Sequence, residues 1–372
     1  MATTPRGFRD ILPDEAEMRE HIVATVKTRL VHHGYRPIET PLIESASVGG
    51  ANAWSSDAPF NLFDDNGALL AVRPDNTTSV VHAIAARMSE RDLPLRLRYE
   101  APVVRQQPRG TAQARQFTQL GYELVGEGGD AADAEMTLIA AEALDDLGLN
   151  SWQLVCGSVV PYQALLELGV DEALANEALA LVHANNYIDL DELAVTSDLP
   201  VALQCAMREL PRITGGPEAL DRVDALLRAA GSTTSTTTEL RSLVQRLTSC
   251  NAELASHLSF DFSLMSSFGY YTGLVLKAYA GDLADPVGSG AVTTRCSTPP
   301  LSRVRQPLAS RSPSSASPRC WRRRPSRHRA VTSAWANRQV PCAPAPLPPR
   351  IPAHQRRSAS KRPCASPCPR VR

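Results

Sequence analysis

The sequence predicts an α+β fold in which an antiparallel sheet is flanked by helices. The first observation is a set of apolar, strand-like segments at 95–99, 101–105 and 117–125, interrupted by a loop at 106–116 that is rich in Gln, Arg, Pro and Gly. Strands that leave and return through such a loop form an antiparallel hairpin. The second observation is helical periodicity, which dominates much of 159–254.

The N-terminal part predicts a helix and then a tight hairpin. Pro13 and the acidic residues that follow it suit the positive end of a helix, and apolar residues then recur every four positions until a helix end near Gly34. The sequence Asp65-Asn66-Gly67 is a strong turn signal, so we expect residues 60–63 to pair with residues 68–73.

The later part of the chain predicts an Ala-rich helix at 131–147, a strand at 152–156 and a return to strand character at 260–264 and 270–279. These patterns divide the chain into four parts: the first part of a core domain at 1–157, a helical insertion at 158–258, the return of the core sheet at 259–290 and a tail at 291–372.

The tail differs from the rest in composition. It holds 18 of the 39 Lys and Arg residues and none of the 39 acidic residues, so residues 1–290 carry 21 basic and 39 acidic residues. It has no Gly, Phe or Tyr but 15 of the 29 prolines, a composition that cannot bury enough apolar surface to order itself. We therefore expect a disordered tail, a basic nucleic-acid arm or an out-of-frame translation, and favour the last.

The acidic charge of residues 1–290 argues against a broad nucleic-acid surface, because phosphate contacts need clustered Lys and Arg. The cysteines before residue 290 are scattered, so we expect no metal site. No apolar run is long enough to predict secretion or a membrane span, and we predict a cytoplasmic protein.

A set of polar residues from separate strands suggests an amino-acid pocket. Such a ligand needs a carboxylate for its ammonium group, a cation for its carboxylate and, if it is histidine, partners for both imidazole nitrogens. Gln119 and Glu123 are four apart, so in a strand both project from one face. The predicted binding residues are Asp75, Asn76, Thr77, Arg105, Gln119, Glu123, Tyr270 and Tyr271.

Over residues 4–290 these motifs resemble the histidyl-tRNA synthetase family, and most closely its non-aminoacylating paralogue, the regulatory subunit of ATP phosphoribosyltransferase. The resemblance implies a class II aminoacyl-tRNA synthetase-like sheet. It also implies that Gln119 and Asp75 hold the ammonium group of histidine, that Glu123, Tyr270 and Tyr271 surround its imidazole, and that Arg105 contacts its carboxylate.

Departures from the synthetase pattern favour the paralogue. Ser266-Ser267-Phe268-Gly269 replaces Arg-Gly-Leu-Asp, whose arginine stabilises charge during activation, and removing one such group commonly costs about 10² to 10³ in rate. Gln106-Gln107 replaces an acidic contact to ATP, and Asp75-Asn76 replaces Glu-Gly. Both families continue beyond Gly290 with Gly-Gly-Arg-Tyr-Asp. If residues 290–296 are written in one possible set of codons, the neighbouring reading frame translates as Gly-Gly-His-Asp-Ala-Leu, which is similar to that motif.

The resemblance thus implies a non-catalytic regulatory subunit of ATP phosphoribosyltransferase, which opens histidine biosynthesis. We expect histidine as the feedback ligand, no cofactor, a short-form catalytic subunit as partner, a homodimer within a hetero-oligomer, and neither tRNA nor a membrane as partner. The alternatives are a histidine-tRNA ligase, for which Ser266 is the discriminating residue, and a non-functional frameshifted product.

Overall fold

The structure is a computed structural model that describes residues 4–46, 59–89, 92–107, 114–149, 151–264, 273–281, 283, 285–293 and 330–336. Helix α1 spans Pro13–His32, with Asp14 and Glu15 in its first turn and Val26 and Leu30 buried. The predicted N-terminal helix is therefore confirmed. It ends because Gly34 follows with a positive φ of 79°, a backbone conformation that glycine adopts without strain.

Short strands follow α1. Strand β1 is Arg36–Pro37, and a separate three-stranded sheet is formed by β2, Ile43–Ser45, β3, Phe60–Phe63, and β4, Leu69–Val72. Strands β3 and β4 pair antiparallel across the turn that contains Gly67, as the turn signal predicted. Strand β4 lies in the middle of this sheet, with β2 on its other side.

Helix α2, Asn76–Arg87, was not predicted. Asp75 is its N-cap residue and accepts a hydrogen bond from the backbone N–H of Thr77, the contact that makes Asp a preferred cap. The apolar residues Val80 and Ile84 are four apart and pack against the sheet. The sequence contains these helix signals, and residues 75–77 serve the helix start as well as the predicted ligand site.

Strands β5, Leu95–Val104, and β6, Gln116–Val125, form the predicted antiparallel hairpin. The two predicted segments before the loop are one continuous strand. On β6, Leu120 and Leu124 point into the main hydrophobic core, whereas Gln119 and Glu123 project from the opposite face. The hairpin therefore has one face for the core and one face for polar groups.

Helix α3, Asp130–Asp146, and strand β7, Trp152–Ser158, agree with the predicted helix and strand. The largely helical stretch is confirmed as six helices: α4 at Val160–Glu167, α5 at Glu172–His183, α6 at Tyr187–Thr196, α7 at Val201–Glu209, α8 at Ala219–Ala229 and α9 at Thr238–Cys250. The short strand β8, Thr214–Gly215, lies between α7 and α8 and pairs with β9, Leu258–Asp261. A part of the predicted helical insertion thus joins the main sheet.

Two further strands complete the return, β10 at Leu274–Ala280 and β11 at Gly288–Thr293. The last described strand, β12 at Ala330–Ala336, comes from the tail. The main sheet has the order β1-β5-β6-β12-β11-β10-β7-β9-β8, and only the β1–β5 and β7–β9 neighbours among these described strands are parallel. The predicted α+β class is confirmed.

Strand β12 lies within the tail, which we expected to be disordered or translated out of frame. It pairs antiparallel with both β6 and β11, so residues 330–336 form a strand of the main sheet. The segment Ala-Val-Thr-Ser-Ala-Trp-Ala lacks proline and contains strand-forming Val, Thr and Trp. The prediction for the tail was made from its average composition, which does not reveal a strand-forming stretch of seven residues. The rest of residues 294–372 lies outside the described residues.

No helix among the described residues is both long and apolar enough to cross a membrane.

We expect Leu124→Ala to destabilise the protein by about 2 to 5 kcal/mol, because Leu124 is fully buried and its truncation leaves a cavity. Ile188→Ala removes a similar side chain that is 80% exposed, and its effect should stay within about 0.5 kcal/mol. Urea unfolding followed by circular dichroism measures both. Equal effects of the two variants would contradict the placement of β6 against the core.

Candidate functional site

The site begins where strand β4 ends and helix α2 starts. Asp75 caps α2 through one carboxylate oxygen, Oδ1, which accepts from the Thr77 N–H at 2.7 Å. Its other oxygen, Oδ2, accepts from Nε2 of Gln119 at 2.9 Å. The Asp75 carboxylate is therefore held in one orientation by a donor on each oxygen, beside the positive end of the helix.

Gln119 is held as firmly as the carboxylate that it contacts. It is 1% exposed, and its Oε1 accepts from the backbone N–H of Asn76 at 2.8 Å and from Nδ2 of Asn76 at 3.0 Å. Both ends of the amide thus have partners. Gln119 therefore orients the Asp75 carboxylate.

Glu123 lies two residues beyond Gly121 on the same face of β6 and is also 1% exposed. The hydroxyl of Tyr99 donates to its Oε1 at 3.2 Å, and Oγ1 of Thr77 lies 3.4 Å from the same hydroxyl. Burial raises the pKa of Tyr99 well above its usual value, and the negative charge of the nearby Glu123 carboxylate raises this pKa further. The phenol therefore stays protonated and available as a donor to Glu123.

Gly121 makes room for this contact. Tyr99 on β5 is paired with Gly121 on β6, and a Cβ atom at Gly121 would lie 2.4 Å from both Cζ and the hydroxyl oxygen of Tyr99. No larger residue fits there without moving the ring. The phenol consequently lies over the backbone of β6, between the positions of Gln119 and Glu123.

Arg105 places a cation beside the Asp75 carboxylate. Its Nε donates to the carbonyl oxygen of Pro74 at 2.8 Å, and a terminal guanidinium nitrogen lies 3.8 Å from Oδ2 of Asp75. The guanidinium also stands over the ring of Phe117, 5.1 Å from its centroid. With 17% of its side chain exposed, Arg105 is oriented by the protein yet accessible to an anionic group.

Arg73 fixes the chain just before these residues. It is 3% exposed and donates to the backbone oxygens of Thr40, Pro41 and Pro102 and to the Thr40 hydroxyl, at 2.7 to 3.2 Å. Burial lowers its pKa from the usual value of arginine. Because its acceptors lie on two separate segments, Arg73 connects the end of β4 both to residues 40–41 and to β5.

The structure brings together six of the eight predicted residues: Asp75, Asn76, Thr77, Arg105, Gln119 and Glu123. Tyr270, Tyr271 and the discriminating Ser266 lie outside the described residues. The neutral pair Gln106-Gln107 contacts other chain segments, since Gln106 donates to the Pro59 carbonyl and Gln107 accepts from Arg6 through its backbone oxygen. The ligand-binding role of the predicted set stays a prediction.

Sequence reasoning missed Tyr99, Gly121 and Arg73. A signal existed for Gly121, which lies midway between Gln119 and Glu123, because a glycine inside a strand commonly marks a close approach by another group. The residue opposite Gly121 is set by the hairpin register. That register depends on how two segments pair and not on either segment alone.

The chain is similar to known proteins over most of its length. Residues 7–292 match the family model described as histidyl-tRNA synthetase. A curated ATP phosphoribosyltransferase regulatory subunit of Geobacillus thermodenitrificans is 32% identical over 292 residues, which cover 78% of this chain and 73% of that protein. A second protein of that name, from Moorella thermoacetica, is 31% identical and is covered to 74% of its length.

Solved structures agree in fold. A structure from Bacillus halodurans C, described as an ATP phosphoribosyltransferase regulatory subunit/histidyl-tRNA synthetase, is 26% identical with a TM-score of 0.74, covering 90% of this chain and 81% of that chain. A chain of an ATP phosphoribosyl transferase complex from Thermotoga maritima is 17% identical with a TM-score of 0.60, covering 85% and 96%. At that identity the second match shows the fold alone.

We expect Gly121→Ala to destabilise the protein by about 1 to 3 kcal/mol, because the added methyl group displaces the buried ring of Tyr99. Gly273→Ala is the control, since its Cβ would lie 3.3 Å from Val292, and it should cost less. Chemical denaturation of both variants is the measurement. A Gly121→Ala protein as stable as the parent would contradict the close approach of Tyr99 to β6.

Proposed function

Because the chain belongs to the histidyl-tRNA synthetase family and, within it, to the regulatory subunits of ATP phosphoribosyltransferase, we propose that it binds histidine between Asp75 and Glu123 and transmits this binding to a catalytic subunit. The family assignment makes this chain the regulatory subunit of an enzyme of histidine biosynthesis and not its catalytic subunit. The observation that carries the proposed ligand is the placement of two carboxylates, Asp75 and Glu123, along one polar face of the β5–β6 hairpin and the start of α2.

Asp75 is proposed as the partner of the histidine ammonium group. Its two oxygens are oriented by Thr77 and Gln119, so a cationic ligand meets a carboxylate that does not need to reorganise. Preorganisation of this kind lowers the cost of binding. The nearby guanidinium of Arg105 is proposed to donate hydrogen bonds to the carboxylate end of the same ligand, as arginine commonly does.

Glu123 is proposed as a partner of the imidazole ring. Glu123 is 1% exposed and accepts from the Tyr99 hydroxyl, and a carboxylate has several lone pairs, so it can also accept from an imidazole N–H. By the family resemblance, Tyr270 and Tyr271 are proposed to surround the imidazole ring together with Glu123. A histidine oriented in this way would present its ammonium group to Asp75 and its side chain to Glu123.

The proposed role is feedback control. Histidine would shift the complex between two states by its difference in affinity for them, a coupling typically worth about 1 to 3 kcal/mol. The neutral residues at Ser266, Gln106 and Gln107 support a pocket that binds without activating, because they remove groups that ATP chemistry uses in the synthetase pattern.

A short-form catalytic subunit of ATP phosphoribosyltransferase is the proposed partner, in a hetero-oligomer built on a homodimer of this chain. Apolar residues on the β2-β4-β3 sheet support a protein interface: Ile43 is 44%, Leu69 45% and Phe63 75% exposed. The acidic charge of residues 1–290 supports a complex without tRNA. The cytoplasmic location stays a prediction.

Histidine binding should weaken when either carboxylate is removed. Glu123→Ala deletes a charged partner of the imidazole, and hydrogen bonds to charged groups are worth about 1.5 to 3 kcal/mol, so affinity should fall about tenfold or more. Asp75→Ala should do the same at the ammonium end. Calorimetric titration of histidine into the full chain measures both losses.

The matched control is Asp171→Ala. Asp171 caps α5 through a bond to the Ala173 N–H, as Asp75 caps α2, so both variants lose an N-cap worth about 1 kcal/mol. Only Asp75→Ala should lose histidine. The assigned pocket would be contradicted if Glu123→Ala and Asp75→Ala bound histidine like the parent. It would also be contradicted if Asp171→Ala lost as much histidine affinity as they did.

The chain should not form histidyl-adenylate. Pyrophosphate exchange driven by histidine and ATP is expected to remain at background, because Ser266 cannot stabilise the charge that an arginine stabilises during activation. An active histidyl-tRNA synthetase assayed in parallel is the positive control. Pyrophosphate exchange well above background would indicate that the protein is a histidine-tRNA ligase.

A further inference from the structure

Tyr99 is a buried residue beside the candidate site, and the proposed function gives its hydroxyl no role. It is 4% exposed, its ring lies over the backbone of β6 at Gly121, and its hydroxyl lies 3.2 Å from Oε1 of Glu123. Its hydroxyl also lies 3.4 Å from Oγ1 of Thr77. The phenol therefore links the first turn of α2 to the carboxylate on β6.

We propose that Tyr99 is a positioning residue for ligand recognition, which holds the Glu123 carboxylate so that it receives an imidazole N–H. The inference rests on the proposed histidine pocket and deepens it. Tyr99 itself acts through Glu123 and does not touch the ligand. Its hydroxyl donates to one carboxylate oxygen of Glu123 and can accept from the hydroxyl of Thr77, whose backbone N–H donates to Asp75.

The geometry of the ring supports a dedicated role. A tyrosine in this place requires glycine at 121, because a Cβ atom there would lie 2.4 Å from the hydroxyl oxygen. The ring is further enclosed by Val80, Ile84 and Leu97, so it has little freedom to swing away from Glu123. A raised pKa keeps the phenol protonated, which preserves the direction of the hydrogen bond.

The neighbouring Tyr122 provides a matched control. It is on the opposite face of β6, is fully buried, and donates its hydroxyl to the Met136 carbonyl at 2.6 Å. Tyr99→Phe and Tyr122→Phe therefore each remove one buried hydroxyl and retain the ring. Tyr99→Phe affects the polar face of β6, which carries Glu123, whereas Tyr122→Phe affects the opposite face.

The test is calorimetric titration of L-histidine into the full chain and its variants. Tyr99→Phe should lower histidine affinity about tenfold, as expected for a hydrogen bond to a charged group, whereas Tyr122→Phe should bind like the parent. Thr77→Val, which leaves Tyr99 intact, should lower affinity in the same direction by a smaller factor. In a Glu123→Ala background, adding Tyr99→Phe should change affinity less than about twofold, because nothing remains to be positioned.

Three results would overturn the inference while leaving the proposed function intact: unchanged affinity in Tyr99→Phe, equal losses in Tyr99→Phe and Tyr122→Phe, or a full additional loss in the Glu123→Ala background. A parent chain that binds no histidine would overturn the proposed function, and the role of Tyr99 with it. The parent titration therefore separates the two failures.

Discussion

The hydrogen bonds that Gln119 makes to Asp75 and Asn76 tie the beginning of α2 to the middle of β6, and the rest of the candidate site depends on this connection. Gln119 donates to the carboxylate of one residue and accepts from the next, so it satisfies polar groups that would otherwise be costly in a buried position. The connection fixes where the positive end of α2 lies relative to Glu123. Without it, the Oδ2 oxygen of Asp75 would lose the hydrogen bond from Gln119.

The β5–β6 register also determines where the second carboxylate, that of Glu123, lies. Tyr99 pairs with Gly121, so its aromatic ring lies over Gly121. This glycine is the residue between Gln119 and Glu123 on the same face of β6. A shift of one residue would move Gln119 and Glu123 to the core face and Leu120 and Leu124 out of the core. The apolar packing of the hairpin therefore protects the geometry of the polar face.

Membership of the regulatory-subunit family gives this arrangement a biological meaning. A pocket that only senses an amino acid needs oriented partners for the ligand, whereas adenylate formation also needs groups that stabilise charge developing in the reaction. In the proposed pocket the first requirement would be met by groups at the start of α2 and on the β5–β6 hairpin. The neutral residues at 106, 107 and 266 lack the charges that the second requirement would use.

Local sequence signals determined much of the fold. Pro13 and a four-residue apolar repeat specified α1, Asp65-Asn66-Gly67 specified the β3–β4 turn, and the spacing of Gln119 and Glu123 specified a shared strand face, because each depends on interactions between near neighbours. Tertiary structure decided the rest. Asp75 became a helix cap, Tyr99 met Gly121, and β12 entered the sheet beside β6. These features rest on pairing between segments distant in sequence, where register and available space, and not local preference, decide which groups meet.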